Sequence, residues 1–403
     1  MEHPKILFIH HGKGIGGAPL SLLYLVEGLL KTTYKPLVVF LHDSDAMTLF
    51  KKNNIPIRPQ PINRYDFSHT KIWWFCWYHP GYLIRAVFDT IITLFFTAPR
   101  VYHQEKPAIV HLNTSSLIAW GLAAKWRKIP VVWHIREPLA DGYLGIRKAL
   151  ITKCIAYAAT QIVAISKHDA GPWQHLKKTS VVYNAVPTEL FNYSTPTKLF
   201  LKKHAIPAEP LILFVGGLSR EKGTLTILKA FELLVKTIPS AQLLIAGYLP
   251  KYKRTFINTF TPGGKYAKQV DSLLTKLHKN IILLGPINNM PEAMAAADVI
   301  VFPASVGHFA RPIIEAGFMQ KPVIASNLPP LNELVINMKT GYLLPSLDYQ
   351  LWAKKLQDLL IKKHAARAMG LHGFSYCTKT FSLPQQIIKI MHLYDEILKR
   401  RNA

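Results

Sequence analysis

An alternation met twice over constrains this chain more than any other feature. Short apolar runs ending in glycine, histidine, asparagine or proline give way, each time, to a longer amphipathic stretch. The first half carries KILFIHH, PLVVFLH, AIVHLN, PVVWHI and QIVAIS, followed by SVVYNA; the second carries LILFVGG, AQLLIAGY, NIILLG, DVIVFPA and KPVIAS. These runs are apolar throughout instead of alternating with polar residues, so both faces of the strands must be covered. That is the signature of a parallel sheet with helices on both sides. The chain is therefore expected to be α/β, with two doubly wound domains.

At 403 residues the length also suits two cores better than one. The joint falls in VPTELFNYSTPTKLFLKKHAIPAEP, which holds four prolines and no strand pattern before Leu211. The domains are expected at 1–190 and 191–382, with a last helix over 383–403. Its apolar positions Ile387, Ile388, Met391, Tyr394, Ile397 and Leu398 recur at helical spacing. One stretch departs from the pattern: KIWWFCWYHPGYLIRAVFDTIITLFFTAPR. It gathers Trp73, Trp74 and Trp77 ahead of an apolar helix in which Arg85, Asp89, Thr93 and Thr97 form a narrow polar stripe, with an ion pair available between Arg85 and Asp89. Pro99 is expected to end that helix, which reads as a core helix of the first domain. The tryptophans read either as packing or as contact with a membrane interface.

Charge separates the classes of partner. Lys and Arg number 49 against 23 Asp and Glu, a formal +26. Such a field favours polyanions: nucleic acid, an anionic membrane surface or a phosphorylated substrate. No basic reading helix or stacking platform is present, which argues against nucleic acid. The chain runs from MEHP straight into its first strand pattern, and no clean 18-residue apolar run exists, so neither export nor a membrane span is expected. Cys76, Cys154 and Cys377 are far apart and form no metal-spaced set, as expected for reduced thiols in the cytoplasm.

Three motifs carry chemistry. HHGKGIGGAP follows the first strand, and its Gly12, Gly14 and Gly17 satisfy G-x-G-x-x-G. Glycines there let a ligand approach backbone N–H groups at a helix N-terminus, a property shared by dinucleotide sites and other phosphate sites. Asp43-Ser44-Asp45 matches a metal-holding D-x-D but reads better as a solvated turn. The third motif lies in the second half. LFVGGLSREKGTLTILKAFELL gives strand, glycine turn, basic residues and helix, with Lys222 offering a point charge to a diphosphate. ADVIVFPASVGHFARPIIEAGFMQKPVIAS then gives strand, loop, helix and strand. Pro312 suits the first turn of that helix. His308 and Arg311 stand at its start, and Glu315 one turn in, where a carboxylate can accept both hydroxyls of a ribose.

Taken in order, VGGLSREKG, PASVGHFARPIIEA, KPVIAS and ELVINMKTGYLL resemble the retaining glycosyltransferases of family 4, which have the GT-B fold. That family's pattern is V-G-R-L…K-G, P-S-x-x-E-G-F-G-x-x-x-x-E-A, G-x-P-V-I-A and E-L-V…G-x-x-G-x-L. The GGAP loop, VVWHIREP, AISKHDA, VVYNAVP and the closing FSLPQQIIKIMHLYDEIL extend the resemblance over nearly the whole chain. It implies two Rossmann-like domains facing across a cleft, the final helix crossing back to the first.

The same resemblance implies roles. His134, Lys222 and Glu315 would be catalytic. Gly16, Gly17, Ser219, Arg220, Lys222, Ile287, His308, Phe309, Ala310, Arg311 and Glu315 would bind a nucleotide-diphosphate sugar. His111, Asn113, Arg136 and Glu137 would face the acceptor, a saccharide or lipid-linked saccharide of a bacterial envelope polymer. No metal or cofactor is implied. Two positions depart from the pattern: Gly217 replaces the usual arginine on the diphosphate, so Arg220 or Arg311 would supply the charge, and Gly307 replaces the first glutamate of Glu-x7-Glu. The alternatives are a non-catalytic GT-B subunit, a nucleotide-sugar epimerase and a nicotinamide oxidoreductase. The protein is expected in the cytoplasm, peripheral on the inner face of the membrane through Trp73, Trp74 and Trp77.

Overall fold

The computed structural model describes residues 3–12, 14–60, 80–139, 141, 143–207, 210–249 and 261–402. Trp73, Trp74 and Trp77 lie outside them. The chain divides into two compact units, one of residues 1–185 and 383–403, the other of residues 186–382.

Unit 1 runs β1 (Lys5–His10), α1 (Gly17–Leu29), β2 (Lys35–Phe40), α2 (Asp45–Lys52), β3 (Ile57–Pro59), α3 (Pro80–Ile92), a π turn (Thr93–Thr97) and α4 (Ala98–Glu105). It continues with β4 (Ile109–Leu112), α5 (Ile118–Trp126), β5 (Val131–Ile135), α6 (Ile146–Ala158), β6 (Gln161–Ala164), α7 (Lys167–Ala170) and β7 (Thr179–Val181). Unit 2 holds α8 (Lys198–Lys203), β8 (Leu211–Val215), α9 (Thr224–Leu234), β9 (Gln242–Ala246), α10 (Pro262–Lys276), β10 (Ile281–Gly285) and α11 (Met290–Ala296). There follow β11 (Val299–Phe302), α12 (Arg311–Phe318), β12 (Val323–Ser326), β13 (Gly341–Leu344), α13 (Tyr349–Ile361) and α14 (Lys363–Phe381). The last helix, α15 (Leu383–Asn402), belongs to unit 1.

Both sheets are parallel. Their strand orders are β3-β2-β1-β4-β5-β6-β7 in unit 1 and β10-β9-β8-β11-β12-β13 in unit 2. In each, the winding direction reverses at one pair of neighbours, β1/β4 and β8/β11. The carboxyl ends of such a pair flank the crevice where open α/β sheets take ligands. In unit 1 the two-residue period of a strand sorts the side chains between two cores. Leu7 and Ile9 pack on one face with Trp120 and Trp133, and Ile6 and Phe8 on the other with Leu22, Val26 and Phe50. α15 closes the second of these cores through Ile390, Tyr394 and Ile397, and Gly28 of α1 leaves room for Ile387.

The apolar runs read from the sequence all form strands, while β3 and β13 escaped that reading. Both are short edge strands with half-exposed residues; Arg58 interrupts the apolar run of β3, and β13 is only the four residues GYLL. The stretch after residue 80 differs more. Pro99 does not end the helix. The π turn precedes it, and the proline then falls in the first turn of α4 without ending the helical run. The chain stays helical to Glu105 and stops at Lys106 in a left-handed conformation (φ 46°). Nor is α3 a core helix with its apolar side inward. Asp89 and Thr93 are buried, Arg85 pairs with Asp89 at 3.9 Å, and Ile84, Val87, Phe88, Ile91, Phe95 and Phe96 are exposed.

Candidate active site

The unit 2 site is two loops knotted together at the reversal point. After β8 the backbone turns through Gly217 (φ 67°) and enters α9 at Gly223 (φ 77°). Only glycine fits at 223, since a Cβ there would stand 1.7 Å from the Pro303 carbonyl oxygen, in the loop after β11. The Ser305 N–H donates to the Glu221 carbonyl at 2.9 Å, and its hydroxyl to the Arg220 carbonyl at 2.9 Å. Ser219 steadies the turn internally: its N–H donates to Thr224 Oγ1 and its Oγ accepts from the Lys222 N–H.

Across this knot the Lys222 ammonium donates to His308 Nε2 at 2.7 Å. The other ring nitrogen, Nδ1, lies 3.0 Å from the Val306 carbonyl, which can only accept. His308 is therefore a neutral Nδ1–H tautomer holding the lysine. Burial, with the Lys222 charge adding to it, lowers the His308 pKa to about 4. Burial also lowers the Lys222 pKa, against a smaller upward effect of Glu221. In α12, Pro312 sits in the first turn and Ala310 is the N-cap, with no side chain capping the helix. Glu315 is buried and accepts from Arg311 Nε at 2.6 Å, one turn back. Burial raises its pKa, and Arg311 opposes that rise.

The sequence-read donor residues thus fall into three places. Ser219, Lys222 and His308 meet in the knot. Ala310, Arg311 and Glu315 lie on α12 or at its start, with Phe309 just before it. Arg220 lines a cavity of about 680 Å³ with Lys229, Lys265 and Tyr349, while Ile287 is half-buried in the loop after β10. Arg311, one of the two candidates to replace an arginine at 217, is committed to Glu315. Both departures from the family pattern are built into the backbone. A Cβ at Gly217 would lie 2.2 Å from the Tyr248 carbonyl oxygen, and one at Gly307 1.9 Å from that of Pro329.

In unit 1 the corresponding ends of β1, β4 and β5 carry a buried hydrogen-bonded network. Arg136 gives Nε to Asn113 Oδ1 at 2.5 Å, Nη1 to Asn184 Oδ1 at 2.6 Å and Nη2 to His134 Nδ1 at 3.4 Å. Arginine only donates, so His134 Nδ1 is an acceptor. His111 Nε2, 3.0 Å away, must then be the donor, which leaves its Nδ1 to accept from the Tyr394 hydroxyl of α15 at 2.6 Å. Asn113 has used its oxygen on Arg136, so its amide donates to His10 Nδ1 at 3.1 Å. His10 and His134 are both left as Nε2–H tautomers, and both Nε2 atoms are buried without a partner among the described residues. Desolvation holds His10, His111 and His134 well below the usual histidine pKa, and lowers Arg136 to about 10. Glu137 accepts from the Thr114 hydroxyl at 2.6 Å.

The four residues read from the sequence as facing the acceptor thus lie at or just beyond the ends of two neighbouring strands, His111 and Asn113 at β4, Arg136 and Glu137 at β5. Asn184 and Tyr394 were missed as members of this cluster. VVYNAVP contained the first in plain view, whereas Tyr394 reads in sequence only as one more apolar-face residue of a helix. Gly16, the N-cap of α1, and Gly17, its first residue, are exposed, with nothing within 4 Å of where a Cβ would stand. Of the G-x-G-x-x-G glycines, Gly14 and Gly17 are likewise open, whereas a Cβ at Gly12 would stand 2.9 Å from His10 Nε2. Asp43-Ser44-Asp45 is a helix cap: the Ser44 hydroxyl accepts from the Met47 N–H. No group of His, Cys, Asp or Glu among the described residues could hold a metal.

A family model described as Glycosyl transferases group 1 matches residues 197–373, and one described as Glycosyltransferase Family 4 matches residues 15–190. The chain is 24% identical over 316 residues to the capsular polysaccharide biosynthesis glycosyltransferase CapM of Staphylococcus aureus, covering 74% of this chain and 79% of that one. It is 24% identical over 315 residues to the UDP-Gal:alpha-D-GlcNAc-diphosphoundecaprenol alpha-1,3-galactosyltransferase of Escherichia coli, covering 74% and 78%. Among solved structures, Alr3699/HepE of Anabaena in complex with UDP is similar with a TM-score of 0.77 at 18% identity, over 97% of this chain and 100% of that one.

Proposed function

Because the chain belongs to the group 1, family 4 glycosyltransferases of the GT-B fold, we propose that it moves a sugar from a nucleoside-diphosphate sugar to a lipid-linked saccharide, with retention of anomeric configuration. The product would be an envelope polysaccharide of a bacterium, made at the cytoplasmic face of its membrane. Relatives named for capsular polysaccharide synthesis and for a diphosphoundecaprenol acceptor support that choice of substrate class.

The observation that carries the reading is the unit 2 knot. It presents a positioned ammonium, Lys222, ahead of a helix whose N-terminus is uncapped and whose first turns hold a buried carboxylate, Glu315. A diphosphate needs the first two and a ribose the third. In the transfer, the bond from the anomeric carbon to the diphosphate oxygen breaks as the acceptor hydroxyl oxygen bonds to that carbon. The hydroxyl proton goes to the departing phosphate oxygen. Lys222 and the helix N-terminus stabilise the charge left on the diphosphate. On unit 1, the His134 Nε2–H is a neutral donor suited to a sugar hydroxyl.

Thermal unfolding with UDP, GDP, ADP, CMP and NAD, on the wild type and on Glu315→Gln, tests the donor assignment. A ligand at about 100 times its dissociation constant adds about 2.7 kcal/mol. One nucleoside diphosphate should stabilise the wild type and lose most of that effect in the variant. Stabilisation by NAD alone, or by none at millimolar ligand, would overturn the assignment. With the donor known, the anomeric configuration of the product, read by NMR, decides retention.

A further inference from the structure

From the inverted helix of unit 1 we infer a second functional surface: the outer face of α3, the π turn, the end of α5 and α6 is the docking face for an anionic lipid bilayer. It deepens the lipid-linked acceptor reading but stands on its own observations. A helix in a soluble protein turns its apolar side inward. In this segment the buried positions are Asp89 and Thr93, while Ile84, Val87, Phe88, Ile91, Phe95 and Phe96 are 47–71% exposed. Six neighbouring apolar side chains left in water on one helical stretch mark an interaction face.

The face continues beyond that helix. The Phe95 ring lies 5.9 Å from that of Trp126, itself half exposed at the end of α5. Lys125 Nζ stands 5.8 Å over the Tyr157 ring, on α6, where Ile146, Leu150 and Tyr157 are exposed at helical spacing. Charge decides which occupant fits. Arg85, Lys125, Arg127, Lys128 and Lys153 are exposed cations. Across residues 80–104, 118–128 and 143–158 the only acid is Asp89, which is buried. Apart from Asp141, which is paired with Lys148 at 2.8 Å, the apolar residues are flanked by cations, which suits lipid tails beneath anionic headgroups, and two such faces would repel one another in a pair of copies. No helix among the described residues is long and apolar enough to cross a membrane, so the face would lie in the interface plane.

Co-sedimentation with vesicles of phosphatidylcholine alone, or mixed with phosphatidylglycerol, tests this with the full chain. Neither donor nor acceptor is present, so the outcome is independent of the transferase assignment. The wild type should pellet with the mixed vesicles and far less with phosphatidylcholine. Phe88→Ser/Phe95→Ser/Phe96→Ser should weaken that binding at least about tenfold, with an unchanged melting temperature and circular dichroism. Lys125→Gln/Arg127→Gln/Lys128→Gln should weaken it at low salt and match the wild type at high salt, where the attraction is screened. Phe96→Glu serves as a milder variant should the triple one misfold. The inference fails if the wild type stays in the supernatant with mixed vesicles, or if the apolar variants bind as the wild type does. It also fails if sedimentation shows a dimer that those variants abolish, since the face would then join two copies. If vesicle binding follows Trp73→Ser/Trp74→Ser/Trp77→Ser and ignores the α3 variants, the docking face lies elsewhere in the chain.

Discussion

The reversal points of the two sheets are the same place in the same kind of fold, yet they have been filled with different polar chemistry. In unit 1 the site is neutral imidazoles and amides around one arginine, locked by hydrogen bonds and buried. In unit 2 it is charges: a lysine on a neutral histidine and a glutamate on an arginine. A neutral donor such as an imidazole N–H discriminates among hydroxyls without attracting ions. A lysine beside a helix N-terminus attracts a diphosphate whatever sugar it carries. The position in the fold thus supplies the crevice, and the side chains decide whether it favours a neutral or an anionic ligand.

Acid should expose the difference most strongly. His10, His111 and His134 are held neutral by burial in the folded chain but titrate near the ordinary imidazole value of about 6.5 once unfolded. Below that pH the unfolded chain binds more protons, so stability falls as pH falls, by up to about 1.4 kcal/mol per pH unit for each histidine. In unit 2, His308 acts in the same direction between 6.5 and about 4. Glu315 acts in the opposite one: its raised pKa means the folded state takes up the proton first, so its stabilisation is lost as pH rises through that pKa. Unit 1 is therefore expected to be the acid-sensitive half. Urea unfolding from about pH 8 to about pH 5 should show it as the first transition lost. His134→Gln should reduce the proton uptake of that transition by one, and an unchanged uptake would mean the imidazole was never held neutral.

Activity should show the reverse bias. Lys222→Met removes the positioned charge of unit 2, and kcat/KM should fall by about 10²–10³, the usual cost of one donor to a developing anion. His134→Gln, which keeps a neutral donor, should cost less. If it costs more, the sugar-side contact controls the rate and the contrast drawn from the two charge sets is wrong.

Much of this was legible in the sequence because it depends on local rules. Apolar runs without alternation specify covered parallel strands. Lys222, Gly223 and Pro312 stand where a turn and a helix start require them. What was not legible depends on direction or on distance. Periodicity says that α3 has an apolar side, not which way that side faces, and it gave the wrong side here. Tyr394 meets His111 across 283 residues, and Lys222 meets His308 across 86, with no pattern to announce either pair. Gly307 read as a missing glutamate, whereas the structure shows a backbone too close to Pro329 to carry any side chain.

That last point makes a prediction against intuition. Gly307→Glu restores the family pattern on paper, yet it should lower stability by about 1–3 kcal/mol or more, the range for overpacking, and should not raise activity. Thermal unfolding measures the first and transfer assays the second. A stable, more active variant would show that the loop after β11 is free to move and that the unit 2 site is less fixed than that of unit 1.

The smallest expected effect is also the most specific, because it concerns the positions of protons. Hydrogen-bond logic gives His10, His111 and His134 as Nε2–H tautomers: Asn113 and Arg136 donate to Nδ1 of His10 and His134, and His111 must then donate from Nε2 to His134 and accept from Tyr394 at Nδ1. His308 must be the Nδ1–H tautomer, since Nδ1 donates to Val306 and Nε2 accepts from Lys222. Long-range ¹H–¹⁵N spectra near neutral pH should therefore show opposite tautomers at the two reversal points. Tyr394→Phe removes a hydroxyl and leaves the buried His111 Nδ1 unpaired, at a cost of about 1–3 kcal/mol. His134 should nevertheless keep its tautomer, because Arg136 can only donate to the same nitrogen. If the substitution instead inverts His134, then α15 sets the proton on that imidazole through His111. Unit 1 would then hold its donor by a relay, where unit 2 holds its own by direct pairing.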